Sequence, residues 1–564
     1  MKKHSLLFNY IWHSIRDNQR KALFVLLTMI WLVLAFLGIN NFSGSAIIYS
    51  TFSCTAFLLL YSAQTGKSYV YFFFAIYIFL GFWAKLISHL LLKYPFVEPT
   101  GGFIGLASDW NDVLLTATVG ILGILAAHTT WRFRRQIFKD RNTSEETPIW
   151  IPIWYPRFRT YIWSILCIAC VGTCLINMIY GIHQIGLAPR TIWQWPLNAL
   201  VAWGLNIGLA TFICVCMYWD FTLKRNSTLY IYCTLLEATL SGISVLSRSV
   251  YIFHSLPQYF SCYKLGLFKT WSKTKILILI IFFILGLSIS VAVVSAFRNV
   301  LYQTGDYQST AYVMAQSRLN VIEAEYRLLV DSLKTLPTKE RSLAIIRLKE
   351  LEEEIARLKA IMQSEKLKIQ AALNAENASA QLLANEFNYQ ITSGANKTIL
   401  QLSVDRWIGL EGLMAVQSYE KKDMQLLLTS LTEKSIDGKA DTFQKISNSI
   451  YLKVDSPKFR FGALPGIVGF LYYSGNKLIV GLGMFCLTLL LLSIEAVMLR
   501  LTGNPIICSL YGAGLASNLA QFGGVPRQLI PYYIMLGIGI GMVWLVNNHK
   551  IQIKLKNIVV SHKL

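Results

Sequence analysis

The sequence predicts an all-α, polytopic membrane protein of about twelve transmembrane helices with one large, mostly helical outer loop. Three observations predict it. Hydrophobic residues make up 54% of the 564 residues and the mean hydropathy is +0.47, which excludes an ordinary soluble enzyme. Apolar runs of about twenty residues recur along the chain, the length that crosses a bilayer core of about 30 Å. The net charge of +22 is concentrated in short segments between those runs, as the cytoplasmic loops of a membrane protein require.

The runs fall at 22–39, 45–63, 69–92, 112–130, 161–181, 197–219, 228–246, 250–266, 275–297, 476–499, 504–521 and 529–547. The least regular place is 228–266, where two short runs flank Arg248. They divide the chain into a nine-span membrane domain at 1–297, an outer loop at 298–462, a re-entrant segment with three further spans at 463–547, and a basic tail at 548–564. With the N-terminus inside, the inner segments hold 24 Lys and Arg. The short outer segments hold few, among them Lys93, Arg190, Arg248, Lys477 and Arg527. That bias predicts both termini in the cytoplasm. From 298 to 461 the loop carries 22 basic and 20 acidic residues and is nearly neutral. The positive excess therefore reads as a topology signal with affinity for anionic lipid head groups, and nucleic acid is not an expected partner. The basic 132–159 loop, with Trp150, Trp154 and Tyr155, reads as an interfacial anchor.

All ten cysteines lie in or beside apolar runs, so no disulfide framework is legible. Cys167, Cys170 and Cys174 share one helix face without His or carboxylate company, which fits small-residue packing. The first apolar run follows Lys2, Lys3, Arg16, Arg20 and Lys21 and has no small-residue cleavage site at its end, so no cleavable leader is expected.

Within the outer loop, 310–380 predicts a helical hairpin. Leu348, Leu351, Ile355, Leu358 and Met362 recur as a coiled-coil seam. The earlier run Leu319–Leu333 is separated from it by Thr335-Leu336-Pro337-Thr338, and proline does not sit inside a helix without losing a bond. From 384 to 432 the pattern is again helical. Lys453 to Gly475, rich in Gly and Pro, reads as a re-entrant or interfacial segment.

Ionisable groups within spans are costly and mark interior positions; here they are few, namely Lys85, Glu237 and Glu495. Arg248, in Leu246-Ser247-Arg248-Ser249, offers a guanidinium fork that matches phosphate oxygens, or snorkels to the interface. Arg190, Arg298, Arg406 and Arg527 stand on the same side, with the carboxylates Glu98, Asp109, Asp405 and Glu411. Glu411 and Asp405 are the candidate bases for a sugar hydroxyl, since a sheltered carboxylate is raised toward working pH. Asp405 alternatively bonds Arg406 or a neighbouring cap. His254 reads as a packed polar residue, and Glu237 as a paired or protonated one. No phosphate-binding Gly loop with its Lys, no HExxH and no His/Cys cluster of ligand spacing is present. No cofactor or metal is expected.

Three stretches carry a resemblance: Ser244-Val245-Leu246-Ser247-Arg248-Ser249 through Leu256-Pro257; Asp405-Arg406-Trp407-Ile408-Gly409-Leu410-Glu411-Gly412; and Phe461-Gly462-Ala463-Leu464-Pro465-Gly466 with Tyr472-Tyr473-Ser474-Gly475. With the span count and the late outer loop, they resemble the O-antigen polymerases, the bacterial oligosaccharide repeat-unit polymerases. The resemblance implies a multi-pass protein of the bacterial inner membrane with a periplasmic outer loop. It implies a metal-independent glycosyltransferase that takes undecaprenyl-pyrophosphate-linked glycans, extends the chain and releases undecaprenyl pyrophosphate. Outer arginines would hold the pyrophosphate: here Arg248 and Arg406 first, then Arg190 and Arg298. The 310–380 hairpin departs from the family's shorter loops, and a polysaccharide chain-length regulator with a helical arm is the partner it raises. The related ligases use a histidine in the large loop, and this loop has none. A flippase is the third reading.

Overall fold

The computed structural model describes residues 25–93, 96, 98–137, 151–152, 154–185, 189–223, 229–304, 310–333, 341–342, 344–364, 367, 407, 409–433, 441–447, 464–522, 526 and 529–547. Among them every regular element is helical. The first nine helices are α1 (Val25–Ile39), α2 (Ala46–Thr65), α3 (Tyr69–Leu92), α4 (Ala107–Ile137), α5 (Tyr155–Tyr180), α6 (Leu197–Thr222), α7 (Leu229–Ser244), α8 (Arg248–Lys264) and α9 (Lys273–Thr304). The long segment between α9 and the last three helices adds α10 (Thr310–Ser332), α11 (344–364), α12 (Leu410–Ser418), α13 (Met424–Thr432), α14 (Thr442–Ile446) and α15 (Gly466–Leu471). The chain closes with α16 (Lys477–Thr502), α17 (Pro505–Ala520) and α18 (Leu529–Asn547).

Each of the twelve apolar runs coincides with one helix. Eight helices are long and apolar enough to cross a membrane: α2 to α6, α9, α16 and α18. Helices α1 and α17 are apolar but shorter. Helices α7 and α8 are the polar-interrupted pair around Arg248. The apolar outer surface, with Leu277, Ile281, Phe282 and Leu285 exposed along α9, marks a membrane protein.

Local chemistry sets the helix ends. The Ser68 side chain caps α3 by accepting from Tyr71 N, and Asn504 caps α17 from Ile506 N and Ile507 N with Pro505 at the first turn. Gly181 and Gly503 end α5 and α16 in the left-handed region that glycine enters freely. Small residues then let helices close on one another. A Cβ on Gly481 would stand 2.9 Å from Val119 in α4, and one on Gly512 would stand 3.1 Å from the Val70 backbone nitrogen in α3. Tyr511 bonds Thr211 at 2.8 Å, tying α17 to α6.

Contacts between helix ends sort them into two sets. At one end Glu495 accepts from Ser68 and Tyr69, Lys264 reaches Gly66, Arg159 meets Asp220 at 2.5 Å, and Asn547 caps Thr502. At the other, Ser45 meets Asn111, Asp112 holds Lys477 and Tyr472, and Gly101 and Gly102 bond Ser447 and Ser418. The loop helices α12 to α15 all sit at this second end.

Helices α10 and α11 each keep one less exposed stripe. The least exposed positions of α10 include Ala315, Leu319, Ile322, Tyr326 and Leu329; those of α11 include Ala344, Leu348, Leu351, Glu354, Ile355, Leu358 and Met362. Both runs keep the alternating three- and four-residue spacing of a heptad seam. Arg318 bonds Glu354 and Arg347 bonds Glu325, so the two helices run antiparallel.

Candidate functional site

Helix α3 carries a π turn at Leu80–Ala84, immediately before Lys85. Such single wide turns recur at functional sites. Lys85 is fully buried, and its ammonium donates to both oxygens of Glu411, at 2.6 and 2.8 Å; Glu411 itself is 2% exposed. Burial pushes the Glu411 carboxyl above its ordinary range, against the pull of the Lys85 ammonium and of His89. Both oxygens of the candidate base are thus engaged by a lysine of the helix bundle.

Glycine makes this docking possible. A Cβ on Gly409 would stand 2.9 Å from the Gly81 carbonyl oxygen and 2.8 Å from Phe82, both in the π turn. A Cβ on Gly412 would stand 2.5 Å from the Pro465 carbonyl carbon, and one on Gly469 3.3 Å from the Gly412 backbone. Helices α12 and α15 therefore meet backbone to backbone, which joins the second and third of the stretches singled out in the sequence. Trp407 stacks on Tyr77 at 5.4 Å, and Tyr77 packs edge-on against Phe253 of α8 at 6.2 Å. Phe253 lies in the helix that Arg248 opens, so the first stretch reaches the same place. Tyr77 lies eight residues before Lys85 on α3, about 12 Å of helical rise, so the chain at Trp407 reaches deeper into the bundle than the ion pair does.

Helix α8 runs antiparallel to α3: Ser261 bonds Tyr69 and Phe253 meets Tyr77. The Arg248 end of α8 therefore lies beside the Lys85 end of α3. There the turn Val245-Leu246-Ser247 links α7 to α8, with Leu246 at φ 54°. Arg298, near the end of α9, donates Nε to Leu246 O and a terminal nitrogen to Ile185 O, both at 2.8 Å. Ile185 N donates to Val245 O at 3.0 Å. Asn177 at the end of α5 clamps His183: its amide donates to His183 O at 2.9 Å and its oxygen accepts from His183 N at 2.7 Å. Arg190 donates to Met178 O at 2.7 Å and is exposed. The structure thus gathers Arg190, Arg248 and Arg298 around one loop and one turn, with Arg298 and Arg190 engaged on backbone carbonyls. Asp405, Arg406 and Arg527 lie outside the described residues.

Beneath this end runs a chain of polar groups. Asn206, in the second π turn at Gly204–Gly208, meets His183 Nε2 through Oδ1 at 3.0 Å. The Asn206 carbonyl accepts from His254 Nε2 at 2.9 Å, and His254 Nδ1 meets Glu237 Oε1, also at 2.9 Å. Ser241 donates to the same Glu237 oxygen at 2.8 Å. Since Nε2 of His254 carries a hydrogen for the carbonyl, the Nδ1–Oε1 contact holds one proton. Glu237 Oε2 is buried without a partner among the described residues, and Glu237 borders a small pocket with Trp163, Cys167, Cys170 and Cys233. His254 is a bonded core histidine and Glu237 is its partner. Cys167 and Cys174 touch Cys233 and Ser241 at 3.8 and 3.9 Å, packing α5 on α7. No metal-holding cluster of His, Cys, Asp or Glu occurs among the described residues.

The sequence reading did not find the partner of Glu411, nor His183 and Asn206. Lys85 was visible as a lone charge in an apolar run, and Asn206 as a lone amide between Gly204 and Gly208. Neither says which distant segment it meets.

Asp441 caps α14, accepting from Gln444 N at 2.7 Å in a capping box. Burial pushes its carboxyl up to about 6, with Glu433 adding to the rise. The folded protein therefore binds more protons here than the unfolded chain between pH about 4 and about 6, and stability falls as pH rises through that window. Thermal midpoints measured across it should show that slope in the native protein and lose it in Asp441→Asn, which keeps the capping acceptor.

Compared with known proteins, the chain matches no family model, no curated protein and no solved structure.

Proposed function

We propose that this protein polymerises undecaprenyl-pyrophosphate-linked oligosaccharide repeat units into O-antigen, or a related surface polysaccharide, at the periplasmic face of the inner membrane. In this reading all twelve helices from α1 to α9 and α16 to α18 span the bilayer and both termini are cytoplasmic. The observation that carries it is the meeting of the three motif stretches at one end of the bundle. Trp407 lies on Tyr77 beside Phe253, and Gly412 lies on Pro465. Arg190, Arg248 and Arg298 gather at that same end. Guanidinium groups neutralise a pyrophosphate leaving group and hold it bidentately, which is the stabilisation a glycosyl transfer without metal needs. The reading adds Arg406, next to Trp407 in sequence, to the groups that would hold the pyrophosphate. The arm formed by α10 and α11 is the surface on which a chain-length regulator would act.

The test is the lipopolysaccharide banding pattern of cells lacking the gene. The expected pattern is core plus a single repeat unit, reproduced by Arg248→Ala and by Arg406→Ala. Core without any repeat would support a ligase or a flippase instead, and an unchanged ladder with intact capsule would refute the reading. One observation favours the flippase as the second reading: the buried Glu237–His254 pair is the kind of group that couples protons to transport. Lipid-linked repeats accumulating on the cytoplasmic leaflet would select it.

A further inference from the structure

A glycosyl transfer onto a sugar hydroxyl needs a proton acceptor on the outer side. Glu411 is buried with both oxygens on Lys85. The arginine-rich end holds another candidate. His183 sits in the loop that follows α5, partly exposed. Its backbone is held at both N–H and C=O by Asn177, whose amide also donates to Ser244 O and Ser244 Oγ at 2.8 and 2.9 Å. The loop is fastened a second time by Arg298, through Ile185 and Leu246. The ring is oriented too. Asn206 Oδ1 accepts at Nε2, so Nε2 carries the hydrogen and the lone pair lies on Nδ1. Nδ1 has no partner among the described residues. A base with one nitrogen fixed by an amide oxygen and the other open is the arrangement that general-base catalysis uses.

We propose that His183 is the catalytic base of the transfer, with Asn206 as its positioning residue; this rests on the polymerase reading above. The acceptor hydroxyl gives its proton to His183 Nδ1 as its oxygen bonds the anomeric carbon of the donor glycan. The bond from that carbon to the pyrophosphate oxygen breaks, and undecaprenyl pyrophosphate leaves with the electron pair, neutralised by the arginines. The imidazolium then returns its proton to solvent. Burial holds the His183 imidazole below its ordinary range, partly offset by the Asn206 bond, so the ring is neutral at pH 7. Among the described residues, Arg190 lies in its own loop, Arg298 from α9 bonds that loop through Ile185 O, and Arg248 opens α8 just past the Leu246 turn. Beyond Asn206 stand His254 of α8 and Glu237 of α7, while α18 contributes the Met535 thioether against the Asn206 amide.

The experiment is polymerisation of purified lipid-pyrophosphate-linked repeat units by the full-length protein in lipid nanodiscs, followed from pH 4 to 9. The native enzyme should lose rate on the acid side as His183 protonates. His183→Gln should lower the rate at pH 7.5 by about 100-fold or more and abolish that acid limb. Asn206→Asp should move the limb upward by about one pH unit, because a carboxylate on Nε2–H stabilises the imidazolium; a merely structural role for His183 predicts no such shift. Polymer made by His183→Gln with native rate and pH profile overturns the assignment and leaves the polymerase reading standing. An unmoved limb in an active Asn206→Asp protein also overturns it. Absence of polymer from the native protein overturns both readings.

Discussion

Lys85→Met should cost about 3–5 kcal/mol of stability, because it leaves the Glu411 carboxylate buried without its counter-charge. Glu411→Leu should cost a similar amount by stranding the ammonium. The double variant should recover most of the loss, since an apolar pair of similar volume desolvates nothing. Lys85 and Glu411 are 326 residues apart and bond at 2.6 and 2.8 Å, so the pair fastens α12 to α3. Thermal unfolding of the four proteins in one detergent closes the double-mutant cycle. Single variants within about 1 kcal/mol of the native protein would mean that the pair is open to water and does not fasten the loop. Activity separates two roles for Glu411. On the polymerase reading proposed above, with His183 as the base, Glu411 only anchors the loop and the double variant should keep polymerising; a double variant that folds and is inactive would assign the hydroxyl proton to Glu411 instead.

Gly412→Val is the second large effect. The contact is with the Pro465 backbone, and a backbone held by a proline at the start of α15 cannot rotate aside as a side chain does. Overpacking of a dense contact costs about 1–3 kcal/mol even where side chains yield, so a value of about 3 kcal/mol or more is expected here. The result should be an α12 that no longer seats on the bundle. Trypsin should then cut at Lys421 and Lys422 at least tenfold faster than in the native protein, while the membrane helices stay folded. Gly537, whose added Cβ would meet nothing within 4 Å, is the control: Gly537→Val should leave cleavage unchanged. Equal cleavage in Gly412→Val and native protein would show that α12 and α15 are not packed together.

The helices were readable because membrane burial writes a strong one-dimensional signal. A run such as 477–502 has to be apolar over its whole length, whatever it packs against. The helices at 310–332 and 344–364 were readable for a related reason, since heptad spacing is local to each helix. The site was readable only in part. Trp407, Gly409, Glu411 and Gly412 stood out as a dense run, and Arg248 as a charge at a span junction. Their partners did not, because Lys85 with Glu411, Trp407 with Tyr77 and Gly412 with Pro465 are encounters between distant segments that leave no periodic trace. His183 escaped notice for a different reason. The role proposed for it comes from being clamped by Asn177 and oriented by Asn206, and neither amide belongs to a periodic pattern or motif in the sequence.

The two π turns carry a consequence for how such a site arises. A π turn is an α-helix that has gained one residue, and one residue is about 100° of rotation. Everything beyond Leu80–Ala84 on α3, Lys85 and His89 included, is turned by that angle relative to an uninterrupted helix. The same holds beyond Gly204–Gly208 on α6. A single inserted codon therefore exchanges the stripe of a membrane helix that meets lipid for the stripe that meets protein. It does so without any substitution in the stripe itself. In α3 that change of phase points a lysine at the docking loop, and in α6 the inserted turn carries the amide that holds His183. Removing either codon would leave a helix as long and as apolar as a span requires, with its chemistry facing the wrong way.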